Sequence, residues 1–192
     1  MERTNFKPGT MVYPLPAVLV SCGETPEEYN LITIAWTGTI CSDPPMCFIS
    51  VRPERYSYDI IKRTGEYVIN LTTEELARAT DWCGCRSGKI FNKWNETGLT
   101  PGKAEVVNAP LIIESPVSIE CRVKEIIPLG SHHMFISEVV NISVNQKFLN
   151  KETGKFSLAD AKPLIYSHGY YFGVGKKIGK FGWSVEKKKK KK

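Results

Sequence analysis

From Val117 onward, apolar and polar residues alternate: Val117, Ile119, Cys121 and Val123 are interleaved with Ser118, Glu120, Arg122 and Lys124. A period of two is that of a strand with one buried face, so residues 117–127 are expected to be extended. Further runs rich in β-branched and aromatic residues lie at 17–22, 31–37, 46–52, 67–71 and 134–144. Asp43-Pro44-Pro45 should mark the beginning of the third of these strands, because proline has no N–H to give to a ladder.

The pattern lengthens in two places. Residues 57–64 read as a helix opened by a Ser57 cap and closed by Gly65, which tolerates the left-handed backbone at a helix end. A second helix is expected from Thr72 or Thr73, where Thr72 and Glu75 have capping-box spacing, and Leu76, Ala79 and Cys83 form its apolar stripe as far as Gly84. Residues 146–162 are polar and turn-rich, a surface excursion before Pro163-Leu164-Ile165-Tyr166 returns to the body. The implied fold is mainly β. About six strands with two or three short helices suit a closed or nearly closed barrel, since closure removes exposed edges; an open α+β sheet is the alternative. A doubly wound fold is not expected, because strands and helices do not alternate and no glycine-rich phosphate loop follows a strand.

At 192 residues and 42% hydrophobic, the chain suits one domain, taken as residues 1–186 with a lysine tail at 187–192. That tail carries six positive charges, equal to the whole net charge of +6, so the body is close to neutral. Nucleic-acid barrels combine a basic groove with exposed aromatics, and a near-neutral body argues against nucleic acid as a partner. No apolar run reaches the length of a membrane span and the first residues lack a signal peptide's apolar region. The expectation is a cytoplasmic protein with no membrane partner. The six cysteines lack C-x-x-C spacing and histidines do not pair with carboxylates at ligand spacing, so neither a disulfide framework nor a metal site is expected.

Chemistry concentrates between Asn30 and Tyr58. Thr33, Thr37, Thr39 and Ser42 lie among strand-forming residues, and Gly38 would let the backbone approach a ligand. Arg52, Arg55 and Ser57 then gather ahead of a helix N-terminus, a place suited to phosphate: guanidinium forks, a hydroxyl donor and free helix N–H groups. The same residues equally fit a solvated turn with an Arg–Glu pair.

Several motifs together resemble the flavin reductase-like family, and within it the flavoredoxin branch. They are NLITIAWTG from Asn30, Ser42-Asp43-Pro44-Pro45, Ser50-Val51-Arg52-Pro53 with Tyr56-Ser57, EYVINL from Glu66, Pro128-Leu129-Gly130-Ser131-His132 with Ile136-Ser137-Glu138-Val139, and Tyr166-Ser167-His168-Gly169. The resemblance implies a Greek-key split barrel that binds FMN, works as a homodimer, and takes electrons from NAD(P)H or a reduced redox partner protein. It implies that Trp36, Thr37, Gly38 and Cys41 follow the flavin ring, and that Ser42, Arg52 and Ser57 hold the ribityl chain and phosphate, with Tyr58 and Arg55 in the same turn. Lys89 would close over the phosphate. His132 would position a nicotinamide or modulate charge at the ring, and His133 would lie on the sheet surface. An electron carrier inert to NAD(P)H is the second reading.

Overall fold

The computed structural model describes residues 1–186; the lysine run at 187–192 lies outside the described residues. The chain runs β1 (Leu15–Pro16), β2 (Val18–Cys22), β3 (Asn30–Ile34), β4 (Thr37–Ser42), β5 (Pro45–Val51), α1 (Tyr56–Thr64), β6 (Glu66–Leu71), α2 (Ala77–Cys85) and α3 (Lys93–Thr97). It continues through β7 (Pro101–Gly102), β8 (Leu111–Ile112), β9 (Val117–Pro128), β10 (His133–Val144), β11 (Leu164–Ser167) and β12 (Tyr170–Gly173).

Seven strands form one sheet in the order β3-β2-β6-β9-β10-β5-β4, every pairing antiparallel. The two edges, β3 and β4, are consecutive in the chain and separated only by Ala35 and Trp36. Covalent continuity therefore brings the edges together and curls the sheet into the split barrel. The barrel interior is filled by alternate residues of facing strands, among them Val18, Val20, Ile49, Val51, Tyr67, Ile69, Cys121 and Phe135. Two register shifts in the long β9–β10 hairpin, at Ile136/Ser137 and Val139/Asn141, bend it along the barrel wall.

The outer faces explain why some strands do not alternate. All five residues of β2 are buried: Leu19 packs outward against Leu76, Cys83 and Trp94 beneath α2 and α3. On β9 the expected inward set is inside, yet Ser118 and Glu120 on the other face are also buried, because the loop carrying Ala104, Val107 and Ala109 folds over Val68 of β6. Glu120 anchors that loop. Its Oε1 accepts from the Glu105 N–H and Asn141 Nδ2, and its Oε2 from the N–H groups of Val106 and Val107. Burial alone would raise this carboxyl, but the four donors outweigh it and hold the group below the usual carboxylate range.

Local signals differ in detail from the reading of the sequence. Gly65 does close α1 with φ 67°, but Arg55 is the N-cap and Ser57 sits inside the first turn. At the second helix, Thr73 rather than Thr72 caps, accepting from the Leu76 N–H across a short 3-10 turn before α2 begins at Ala77 and runs past Gly84 to Cys85. The Thr72 hydroxyl instead donates to the Ala17 carbonyl. A third helix, α3, starts where Asn92 Oδ1 accepts from the N–H groups of Trp94 and Asn95. The small β1-β11-β12 sheet is tied to the β6–α2 junction by the Leu164 N–H to Thr72 carbonyl bond and the Glu74 N–H to Lys162 carbonyl bond. No helix among the described residues is long and apolar enough to cross a membrane.

Candidate functional site

Where the sheet edges meet, one groove runs in two connected chambers that share Ile32, Thr33, Arg55 and Gly84. The larger, about 410 Å³, is bounded by Ala35, Trp36, Ser50, Arg52 and His132 on the barrel side, and by Asp81, Cys85, Tyr166 and Tyr171 on the other. The smaller, about 240 Å³, is bounded by Asn30, Ser57, Arg86, Ser87, Gly88 and Lys93. One chamber is rich in aromatic rings; the other carries Arg55, Arg86 and Lys93 against the single acid Glu54, with the hydroxyls of Ser57 and Ser87.

The aromatic chamber owes its shape to the two-residue link between β3 and β4. The Trp36 carbonyl accepts from the Ser50 N–H at 2.8 Å, and the Thr37 N–H is spent on the Ala35 carbonyl at 3.0 Å. Those two bonds leave the Trp36 N–H among the backbone donors available on this stretch. The Trp36 indole, 38% exposed, stacks on His132 with ring centres 5.9 Å apart and planes at 15°. His132 is held below its ordinary value by burial first and then by the nearby Arg52 charge, so it is a neutral ring at neutral pH. On the opposite wall, burial and then the Asp81 carboxylate push the Tyr171 phenol up to about 12, so it remains a hydroxyl.

The cationic chamber lies at the N-terminus of α1, where no side chain caps the first turn. The Ser57 hydroxyl accepts from Asn30 Nδ2 at 2.7 Å and keeps its own proton to donate. Lys93, only 4% exposed, spends one of its three donors on the Cys83 carbonyl at the end of α2, at 2.7 Å. Burial pulls its ammonium below the ordinary lysine range. Gly88 is required here: a Cβ on it would collide with the Asn30 amide and the Tyr56 ring, so the 86–88 loop closes against β3 and α1.

Of the residues singled out from the sequence, Trp36, Arg52, Arg55 and His132 line the aromatic chamber, while Arg55 and Ser57 line the cationic one. The others lie elsewhere. The Thr37 hydroxyl donates to the Phe48 carbonyl at 2.6 Å. Gly38, Cys41 and Ser42 follow β4 along the sheet edge and line neither chamber. Tyr58 is turned into the barrel, its hydroxyl 2.7 Å from His133 Nδ1 and its ring edge-on to Phe135. His133 is accordingly half-buried rather than on the sheet surface. Lys89 is exposed and outside both chambers. Asn30, Asp81, Arg86, Lys93 and Tyr171 were not named as site residues by sequence reasoning. The Asn92 cap, which starts α3 and makes Lys93 its first residue, was the legible signal for Lys93.

The arrangement fits a flavin. A planar ring matches the chamber between the Trp36–His132 stack and the two tyrosines, and a phosphate matches Lys93, Arg55, Arg86, Ser57, Ser87 and the open helix end. Among the described residues no cluster of three or more histidine, cysteine or acidic side chains could hold a metal ion.

The profile of the family described as "Flavin reductase like domain" matches residues 10–175. The flavoredoxin of Desulfovibrio vulgaris (Miyazaki F) is 28% identical, with TM-score 0.88 over 96% of this chain and 100% of that one. The flavoredoxin of Methanosarcina acetivorans is 25% identical, with TM-score 0.86 over 97% and 100%. The NADH-dependent FMN reductase AsuE2 of Streptomyces nodosus subsp. asukaensis is 22% identical over 88% of this chain and 83% of its own length. The chain belongs to the flavin reductase-like family, on its flavoredoxin branch, and is a flavin-binding redox protein with the split-barrel fold.

Proposed function

We propose that this protein holds FMN in the two-chambered groove and passes electrons through it, from NAD(P)H or a reduced redox protein to a second acceptor. The observation that carries the reading is the continuity of an aromatic chamber with a cationic one, which matches a flavin with a terminal phosphate. Bound flavin supplies the redox chemistry, and the side chains bind, orient and screen it. Lys93, Arg55 and Ser57 would hold the phosphate. The Trp36 N–H and the Trp36–His132 stack would set the ring's edge and face, and neutral His132 beside Arg52 would orient the electron donor. Kinship with flavoredoxins also supports an electron carrier without NAD(P)H activity. We further propose a cytoplasmic homodimer: all six cysteines are free thiols, as a reducing compartment would keep them, and large apolar side chains on the body of the protein, Ile40, Ile90, Ile113 and Ile142 among them, stand exposed.

The visible spectrum of the purified protein, followed by titration with FMN, tests the cofactor: absorption bands of bound flavin are expected, and a protein that neither carries nor takes up FMN refutes it. Steady-state oxidation of NADH and NADPH separates the two roles. Turnover with either refutes a pure carrier, and a flavin-loaded protein inert to both refutes a reductase.

A further inference from the structure

The strand β12 contributes Tyr171 to the wall of the aromatic chamber, and the chain then leaves the body as an arm, residues 174–186. Three residues of extended chain, at most about 10 Å, separate Tyr171 from the arm's first residue. Every hydrogen bond and ion pair described for the arm joins its own residues: Trp183 N–H to the Lys180 carbonyl, Val185 N–H to the Gly182 carbonyl, and Lys180 to Glu186. Its large apolar side chains are not buried: Ile178 is 90% exposed, Phe181 fully exposed and Trp183 58% exposed. The exposed lysines Lys176 and Lys177 precede them and Lys180 stands between Ile178 and Phe181, against the single acid Glu186.

We propose that this arm is a docking surface for an acidic electron-transfer protein, a role that rests on the flavin-binding redox reading above. An exposed apolar patch ringed by polar groups marks an interaction surface, and interfaces put aromatic residues at the centre with charge at the rim. The lysines select a partner of negative surface and steer its approach. The arm's root is beside the flavin chamber, whose wall carries Arg52 and Arg55, so a partner seated on it brings its redox centre to the groove mouth. Asp81 and Glu54 on the chamber walls reduce this positive field without reversing it, since Glu54 is already paired with Arg52. Transient redox encounters use small interfaces, which suits a narrow arm. Two encounters, each oxidising one reduced partner by one electron, supply the two electrons of full flavin reduction, with protons drawn from solvent.

The test uses the full chain and a small [2Fe–2S] ferredoxin of strongly acidic surface as the probe. Binding of the labelled, oxidised ferredoxin is measured by fluorescence anisotropy, and reduction of the flavin by the reduced ferredoxin is followed by stopped flow. Raising salt from about 20 to about 300 mM should weaken binding and slow reduction by roughly tenfold or more. The triple variant Lys176→Glu, Lys177→Glu, Lys180→Glu should lose binding and its salt dependence, and Phe181→Ala with Trp183→Ala should weaken it several-fold. Flavin content and reduction by dithionite should be unchanged in both. Ferredoxin binding by the charge-reversed protein at the parent's strength overturns the proposal. It is also overturned if the arm variants leave ferredoxin binding intact while converting a dimer to a monomer in light scattering, which assigns the arm to a second copy. Sedimentation with anionic vesicles that is lost in the arm variants, while those same variants still bind ferredoxin at the parent's strength, overturns it in favour of a bilayer surface. Binding of oxidised ferredoxin needs no flavin, so a chain that takes up no flavin defeats the cofactor reading while docking is still decided.

Discussion

Replacing Lys93 by methionine removes a buried charge while keeping most of the stem's packing. In the flavin-free protein two effects oppose. The variant loses the ammonium's bond to the Cys83 carbonyl, worth about 1.5 to 3 kcal/mol as a charge-assisted bond, but it also removes an ammonium that burial disfavours. These offset, and unfolding stability at neutral pH should move by no more than about 1 kcal/mol. Flavin binding should respond differently, because the two donors not used on Cys83 face a chamber suited to phosphate. A charge-assisted hydrogen bond is worth about 1.5 to 3 kcal/mol, which corresponds to a dissociation constant raised about 10- to 150-fold. The pH dependence has a fixed sign. With the folded value depressed, lysine protonation costs stability as pH falls from the ordinary value of 10.5 through the folded value, so the flavin-free parent should gain stability as pH rises over that window and the variant should not. Urea unfolding across pH and fluorescence titration with FMN read the two effects separately. An unchanged affinity for FMN, or a loss of several kcal/mol from the flavin-free protein, would show that Lys93 is only a helix cap and refute the reasoning.

Two further changes probe other parts of the argument. Glu120→Gln should destabilise the protein by about 2 to 6 kcal/mol, because the new amide NH₂ cannot accept and strands two of the four donors. The parent's contribution from this group is present above pH 4.5 and is lost as pH falls through its lowered folded value, whereas the glutamine variant should lack that acid step; matching acid profiles would count against the anchor. His132→Ala should retain flavin but alter the rate of electron input, and should abolish any rate change as pH falls below 6.5 through the ring's lowered value; a variant with the parent's pH–rate profile removes His132 from the mechanism.

Much of the barrel was readable because it is written in local chemistry. The period-two run on β9, the Gly65 stop and the proline pair before β5 each act within a few residues. The arginine–serine turn before α1 was visible for the same reason, since a helix end with clustered cations is a short-range feature. What failed depended on neighbours far along the chain. Glu120 reads as a solvent-facing residue of an alternating strand until a loop some fifteen residues earlier covers it. Tyr58 sits in the same turn as Arg55, yet the packing of α1 points it at His133 and Phe135 instead of the groove.

Local sequence was enough for the longer strands, the Gly65 stop of α1, the near-neutral body with its basic end, and, through the ordered motifs, the family. Only the tertiary structure decided which side chains share the groove. Lys93, Ser57 and Asn30 come from three separated segments, as do Trp36, His132 and Tyr171. The barrel juxtaposes them because Ala35 and Trp36 join its two sheet edges, and such long-range closure leaves no periodic trace in the residues it brings together.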